Sequence, residues 1–202
     1  MYCETVSAVL KMQKYGQKKY NLTFGGDTVI LYIILSVLMI AADRYTKIIA
    51  AEALSGGKSI DFIPHFMDFV YVENRGAAFG MMQNTRWFLA VLTVAVLGAI
   101  LAYVIKSKNR SPLFMTAASL IFAGGVGNLI DRVFFGYVTD FMHFLFIDFP
   151  CFNVADICVC TGGALFVIYL LFGDMKKGSM KKTEQTAENK GELYGTKNSS
   201  DS

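Results

Sequence analysis

The chain has 202 residues, of which 54% are hydrophobic and 17% charged, with a formal net charge of +3 and a mean hydropathy of +0.43. That apolar content exceeds what a single soluble core of this size needs, so the first expectation is a membrane protein. The four cysteines, Cys3, Cys151, Cys158 and Cys160, form no C-x-x-C pair and have no histidine cluster beside them, which argues against a zinc site or a disulfide framework.

Residues 1–27 are polar and carry Lys11, Lys14, Lys18 and Lys19, so they are expected to form a solvated extension. The apolar run that follows passes into Asp43-Arg44 without a small-residue cleavage site, so it reads as a retained helix rather than a leader. A spanning helix needs roughly 20 mostly apolar residues. Four stretches approach that, over residues 28–50, 87–105, 113–130 and 155–172, within a membrane domain of residues 28–173. The third contains Gly124, Gly125 and Gly127, which allow close helix contact. Between the spans, residues 69–73 and 138–146 are rich in β-branched and aromatic residues and read as short strands, while residues 61–68 mix aromatics with charge in a way that suits the membrane interface. Residues 174–202 form a polar, lysine-containing tail expected to be disordered.

Basic residues fix the expected orientation. The N-terminal lysines, Lys106-Lys108-Arg110 and the cluster Lys176, Lys177, Lys181 and Lys182 all fall on one side of a four-pass topology. By the positive-inside rule that side, with both termini, is cytoplasmic. The connections over residues 52–86 and 131–156 then face outward, and most of the unusual polar residues lie in or beside them.

Ionisable groups at span ends are costly to desolvate, so each is a site candidate. Asp43 and Lys47 lie four apart on one helix face, which reads first as an ion pair and second as substrate positioning. Asn128, Asp131 and Arg132 share a face at the end of the third span and suit scaffolding. Asp140 and Asp156 differ, because each sits in an apolar or aromatic setting with no basic sequence neighbour. For Asp156 the simple alternative is a helix cap. Two carboxylates brought together share a proton, so one can activate water while the other protonates a carbonyl. His65 and His143 have no Cys or Ser in a nucleophile motif, and there is no Gly-rich phosphate loop, no H-E-x-x-H and no aromatic-interleaved basic patch for nucleic acid. Carboxylate chemistry leads by elimination. A small transporter or proton-relay subunit, and a noncatalytic membrane scaffold, remain as alternatives.

Four segments carry a family resemblance. They are Asp43-Arg44-Tyr45-Thr46-Lys47, Asn74-Arg75-Gly76-Ala77-Ala78-Phe79-Gly80, Gly124-Gly125-Val126-Gly127-Asn128-Leu129-Ile130-Asp131-Arg132 followed by Val138-Thr139-Asp140-Phe141, and Phe152-Asn153-Val154-Ala155-Asp156. In order and spacing they resemble the motifs of signal peptidase II, with Arg44 where that family usually has Gln. The resemblance implies a four-transmembrane-helix bundle with a small extracytoplasmic β-cradle and an interfacial helix, in a bacterial inner membrane. It implies an aspartic endopeptidase with Asp140 and Asp156 as the catalytic pair. Asn74, Gly76, Asn128, Arg132 and Asn153 are implied to order the site and substrate, with Asp43 and Lys47 as support. The implied substrate is a prolipoprotein whose lipobox cysteine bears a diacylglyceryl group. Membrane lipid is the other expected partner, the working unit a monomer, with no nucleic acid and no metal or organic cofactor.

Overall fold

A computed structural model describes residues 26–76, 85–106 and 111–172. Residues 1–25 of the polar N-terminal extension, Cys3 among them, Lys108, Arg110, residues 77–84 and the tail lie outside the described residues, while Gly26 and Asp27 of that extension already belong to the first helix. The Ala77-to-Gly80 half of the second motif also lies outside the described residues. The elements run α1 (Gly26–Leu54), β1 (Ser59–Ile63), β2 (Met67–Asn74), α2 (Arg86–Lys106), α3 (Pro112–Phe134), β3 (Val138–Phe144) and α4 (Val154–Phe172).

All four helices are long and apolar enough to cross a bilayer. The shortest, α4 with 19 residues, covers about 28 Å at the helical rise, close to the thickness of a hydrocarbon core. Leu31, Val37 and Leu38 on α1 and Val91 and Ile105 on α2 are exposed, which is stable only where the surrounding solvent is lipid. The central helix is α3, packed against both α1 and α2. Its start is set by Ser111, whose hydroxyl accepts the Phe114 N–H at 3.2 Å, and by Pro112 in the first turn. Small residues let α4 approach α3 closely: Gly124 faces the Ala155 carbonyl and Val159, and Gly162 faces the Ala117 carbonyl and Ile121. Farther along the same helix pair, Phe114 and Tyr169 pack at 5.3 Å between ring centres.

Strands β1, β2 and β3 form one antiparallel sheet in that order. The β1–β2 turn places Pro64 and then His65, at φ 62, between Ile63 and Phe66, and the Phe66 N–H donates to the Ile63 carbonyl at 3.0 Å. Strand β3 is buried along most of its length. Phe141 and Met142 pack with Ala50 and Leu54, so the sheet sits on the C-terminal end of α1.

The four-helix bundle and small sheet agree with the sequence expectation, but several boundaries move. Helix α1 continues to Leu54. Helix α3 continues past residue 130 to Phe134, so Asp131 and Arg132 belong to the helix and not to the following connection. No residue in that stretch breaks a helix. The end comes at Gly136, at φ 87, where the Phe135 and Gly136 N–H groups both donate to the Asp131 carbonyl. Asp156 lies inside the first turn of α4. Residues 61–68, expected at the membrane interface, lie within the β1–β2 hairpin, and β3 ends at Phe144 and not at residue 146.

Candidate active site

The two longer connections meet at one end of the bundle, where β2 pairs with β3, and Asn153 ties the start of α4 to β3. It precedes α4 as its N-cap. The Asn153 Oδ1 accepts the Asp156 N–H at 3.0 Å, and an Asp156 carboxylate oxygen accepts the Asn153 N–H at 3.1 Å. This reciprocal arrangement is a capping box, and it fixes the Asp156 carboxyl against the start of the helix. The same Asn153 side chain, fully buried, donates to Asp140 Oδ1 at 2.6 Å. One residue therefore holds both carboxyls. The cap expected as the simple alternative for Asp156 is present, and it also positions that group beside Asp140.

Each carboxyl has a second amide partner. Asn74, the last residue of β2, donates to Asp140 Oδ2 at 2.9 Å, and its own Oδ1 accepts the Gly76 N–H at 3.0 Å, which sets the orientation of the amide. Asn128 on α3 donates to Asp156 Oδ1 at 2.8 Å. Its Oδ1 accepts from Lys47 Nζ at 2.9 Å. Arg132, one turn beyond, donates to the Asn128 carbonyl at 3.3 Å and is within electrostatic reach of Asp156 and Asp140.

Burial, followed by the neighbouring Asp156 charge, pushes the Asp140 pKa up to about 7, against the opposing pull of Asn74, Asn153 and Lys47. A carboxyl in that range retains its proton near neutral pH, as a general acid must. A cavity of about 240 Å³, lined by Val72, Asn74, Arg75, Asp140, Pro150 and Cys151 among others, lies beside it. Cys151 is a site-lining residue that sequence reasoning misses; its thiol is pushed up to about 11 by burial, which keeps it protonated.

Behind the carboxyls lies a buried ionic cluster. Lys47 reaches Asp43 Oδ2 and Asp131 Oδ2, each at 2.9 Å, and all three side chains are no more than 2% exposed. The Asp43–Lys47 pair expected from the i,i+4 spacing is therefore real, but it is buried and shared with α3. Asp43 Oδ1 also accepts the Ala155 N–H at 2.9 Å, and Asp131 Oδ2 accepts the Thr139 N–H at 3.3 Å. Asp131, read from the sequence as scaffolding, is the α3 carboxylate of this cluster. Its spacing from Asn128, three residues along one helix, is the signal that points to it.

His143 pairs with Asp68 at 3.0 Å across β2 and β3, away from this constellation. Among the described residues, no three His, Cys, Asp or Glu side chains gather as a metal site.

A family profile described as "Signal peptidase (SPase) II" matches residues 35–172, more than half of the chain. This chain belongs to the signal peptidase II family. It is 40% identical to a lipoprotein signal peptidase of Symbiobacterium thermophilum over 148 residues, which is 72% of this chain and 97% of that one. It is 41% identical to the lipoprotein signal peptidase of Clostridium acetobutylicum, over 72% of this chain and 96% of the relative. In fold it is similar to a bacterial membrane enzyme solved by the in meso method at 2.3 Å, with a TM-score of 0.68 and 36% identity, covering 73% of this chain and 90% of the other. As a member of the signal peptidase II family, the chain is a multi-pass membrane peptidase.

Proposed function

We propose that this chain removes the signal peptide from diacylglyceryl-modified prolipoproteins by hydrolysis on the N-terminal side of the lipobox cysteine, with Asp140 and Asp156 as the catalytic pair. The observation that carries this reading is the Asn153 side chain, which holds Asp140 at 2.6 Å while its capping box holds Asp156, at the edge of a cavity. The pair shares one proton. Burial favours the neutral form of both carboxyls, and Asp140, raised further, to about 7, holds the proton at rest. Asp156 accepts a proton from water as the water oxygen attacks the scissile carbonyl carbon, and Asp140 gives its proton to the carbonyl oxygen. A gem-diol results. Asp156 then passes its proton to the amide nitrogen as the C–N bond breaks, and Asp140 regains one from a diol hydroxyl. Asn74, Asn128 and Asn153 hold the carboxyls through each change of charge, and Asp43 and Lys47 support that frame.

Placement favours hydrolysis over a proton relay, because a relay must cross the membrane and Asp43, Asp131, Asp140 and Asp156 gather at one end of the bundle. The lysine distribution puts that end on the outer face and both termini in the cytoplasm. The protein acts as a monomer surrounded by membrane lipid, on residues 28–173 as one catalytic unit.

The test is cleavage of a purified prolipoprotein, with and without the diacylglyceryl group, by the detergent-solubilised full chain. The expected product is cut immediately before the modified cysteine, with the unmodified precursor left intact. Equal cleavage of both precursors would remove the lipid from the recognition, and no cleavage of either would overturn the function.

A further inference from the structure

Arg44 stands where the family pattern has Gln, and its guanidinium takes part in the buried cluster. Arg44 Nη2 lies 2.6 Å from Asp131 Oδ1, and the Arg44 guanidinium carbon lies 5.9 Å from the centre of the Phe135 ring. We propose that Arg44 is a positioning residue for the carboxylate pair, acting through Asp131 on Asn128 and Asp156 by one route and on the strand carrying Asp140 by another. The proposal rests on the peptidase reading above.

The donor count explains why a second cation matters. An ammonium group has three donors. Lys47 Nζ donates to Asn128 Oδ1 at 2.9 Å and lies 2.9 Å from both Asp43 Oδ2 and Asp131 Oδ2 as an ion pair. One cation therefore serves two buried carboxylates and an amide. Arg44 supplies the second positive charge and brings the four ionic groups Asp43, Asp131, Lys47 and Arg44 to neutrality. It also pairs with the Asp131 oxygen that Lys47 does not reach, so the carboxylate has a cation beside each oxygen. The contacts of Asp131 lead toward the site in two directions. Through Lys47, Asp131 orients the Asn128 amide, which then presents Nδ2 to Asp156 at 2.8 Å. Through its Oδ2, it accepts the N–H of Thr139 at 3.3 Å, the residue immediately before Asp140.

A neutral Gln could offer one N–H to Asp131 but would leave the cluster with an excess negative charge, whereas Lys keeps the charge but loses the planar fork. Arg44 does not line the cavity beside Asp140. Its loss should therefore alter turnover and leave substrate affinity unchanged.

The experiment compares wild type with Arg44→Gln, Arg44→Met and Arg44→Lys, each purified as a monodisperse folded protein and assayed well below its melting temperature. One charge-assisted contact, weakened by transmission through the cluster, corresponds to roughly a tenfold fall in kcat. The expected result is that fall for Arg44→Gln and Arg44→Met with KM unchanged, and recovery to within about threefold in Arg44→Lys. Infrared spectroscopy provides a readout independent of cleavage: the carboxyl C=O band that disappears in Asp140→Asn should shift in Arg44→Gln. If wild type does not cleave, the functional reading fails, and the infrared shift alone decides the positioning role. A kcat within twofold of wild type in all three variants with an unmoved band, or a change confined to melting temperature, overturns the proposal.

Discussion

Gly127→Ala tests how tightly the ionic cluster is built into the helix packing. A Cβ at position 127 would lie 2.6 Å from Asp43 Oδ2 and 3.3 Å from the Ala155 Cβ. Asp43 has little room to withdraw, because Lys47 holds one of its oxygens at 2.9 Å and the Ala155 N–H holds the other at 2.9 Å. Overpacking of a tight site costs about 1–3 kcal/mol. Weakening a buried contact to a charged group adds about 1.5–3 kcal/mol. A combined loss of about 4 kcal/mol lowers the melting temperature by roughly 10 °C in a chain of this size. The assay is thermal unfolding in detergent, followed by a thiol-reactive fluorophore that gains access to the buried Cys158. Gly163→Ala is the matched control, since a Cβ there meets nothing within 4 Å, and it should leave the melting temperature unchanged or raise it slightly. A Gly127→Ala protein melting within 2 °C of wild type, by this order of estimate, would refute the close packing of Asp43 against α3.

Asn153→Ala should remove the α4 cap and the Asp140 donor together, costing about 2–4 kcal/mol in thermal stability and at least about tenfold in kcat. Lys47→Met leaves Asp43 and Asp131 buried without their shared ammonium and should cost about 3–5 kcal/mol; a second change, Asp43→Asn, should recover part of that loss, and simple additivity in the double variant would contradict the coupling. The pH dependence of stability follows from Asp140, whose carboxyl moves from an ordinary 3.8 to about 7 in the folded chain. Below pH 4 both states hold the proton, and between pH 4 and 7 only the unfolded state releases it, so melting temperature in detergent should fall across that window and level off above it. Asp140→Asn should flatten the fall.

The bundle was legible because a spanning helix announces itself through continuous apolar length, and residues 87–105 and 155–172 fall within two residues of the observed ends of α2 and α4. The end of α3 was not. Its terminator is a single positive-φ glycine at Gly136, and apolar Leu129, Ile130, Val133 and Phe134 look the same in a helix or in a connection. Strand β1 was hidden for a different reason: Ser59–Ile63 has every residue exposed, so no buried face imposes an alternation that could be read. Asp43, Lys47 and Asn128 could be singled out as polar residues near span ends, and the Asp43–Lys47 pair could be read from its spacing, yet their partners on other elements could not. The convergence of α1, α3, β3 and α4 on the Asp43, Lys47 and Asp131 cluster depends on helix crossings that small residues permit; Gly124, Gly125 and Gly127 signal a close approach but not which element approaches.

The catalytic assignment is most directly tested by Asp140→Asn and Asp156→Asn, each shown to be folded, incubated with diacylglyceryl-modified prolipoprotein beside the wild type. The account predicts that wild type cuts before the modified cysteine and that both variants are inert. Cleavage by either variant at a rate close to wild type would contradict the pair.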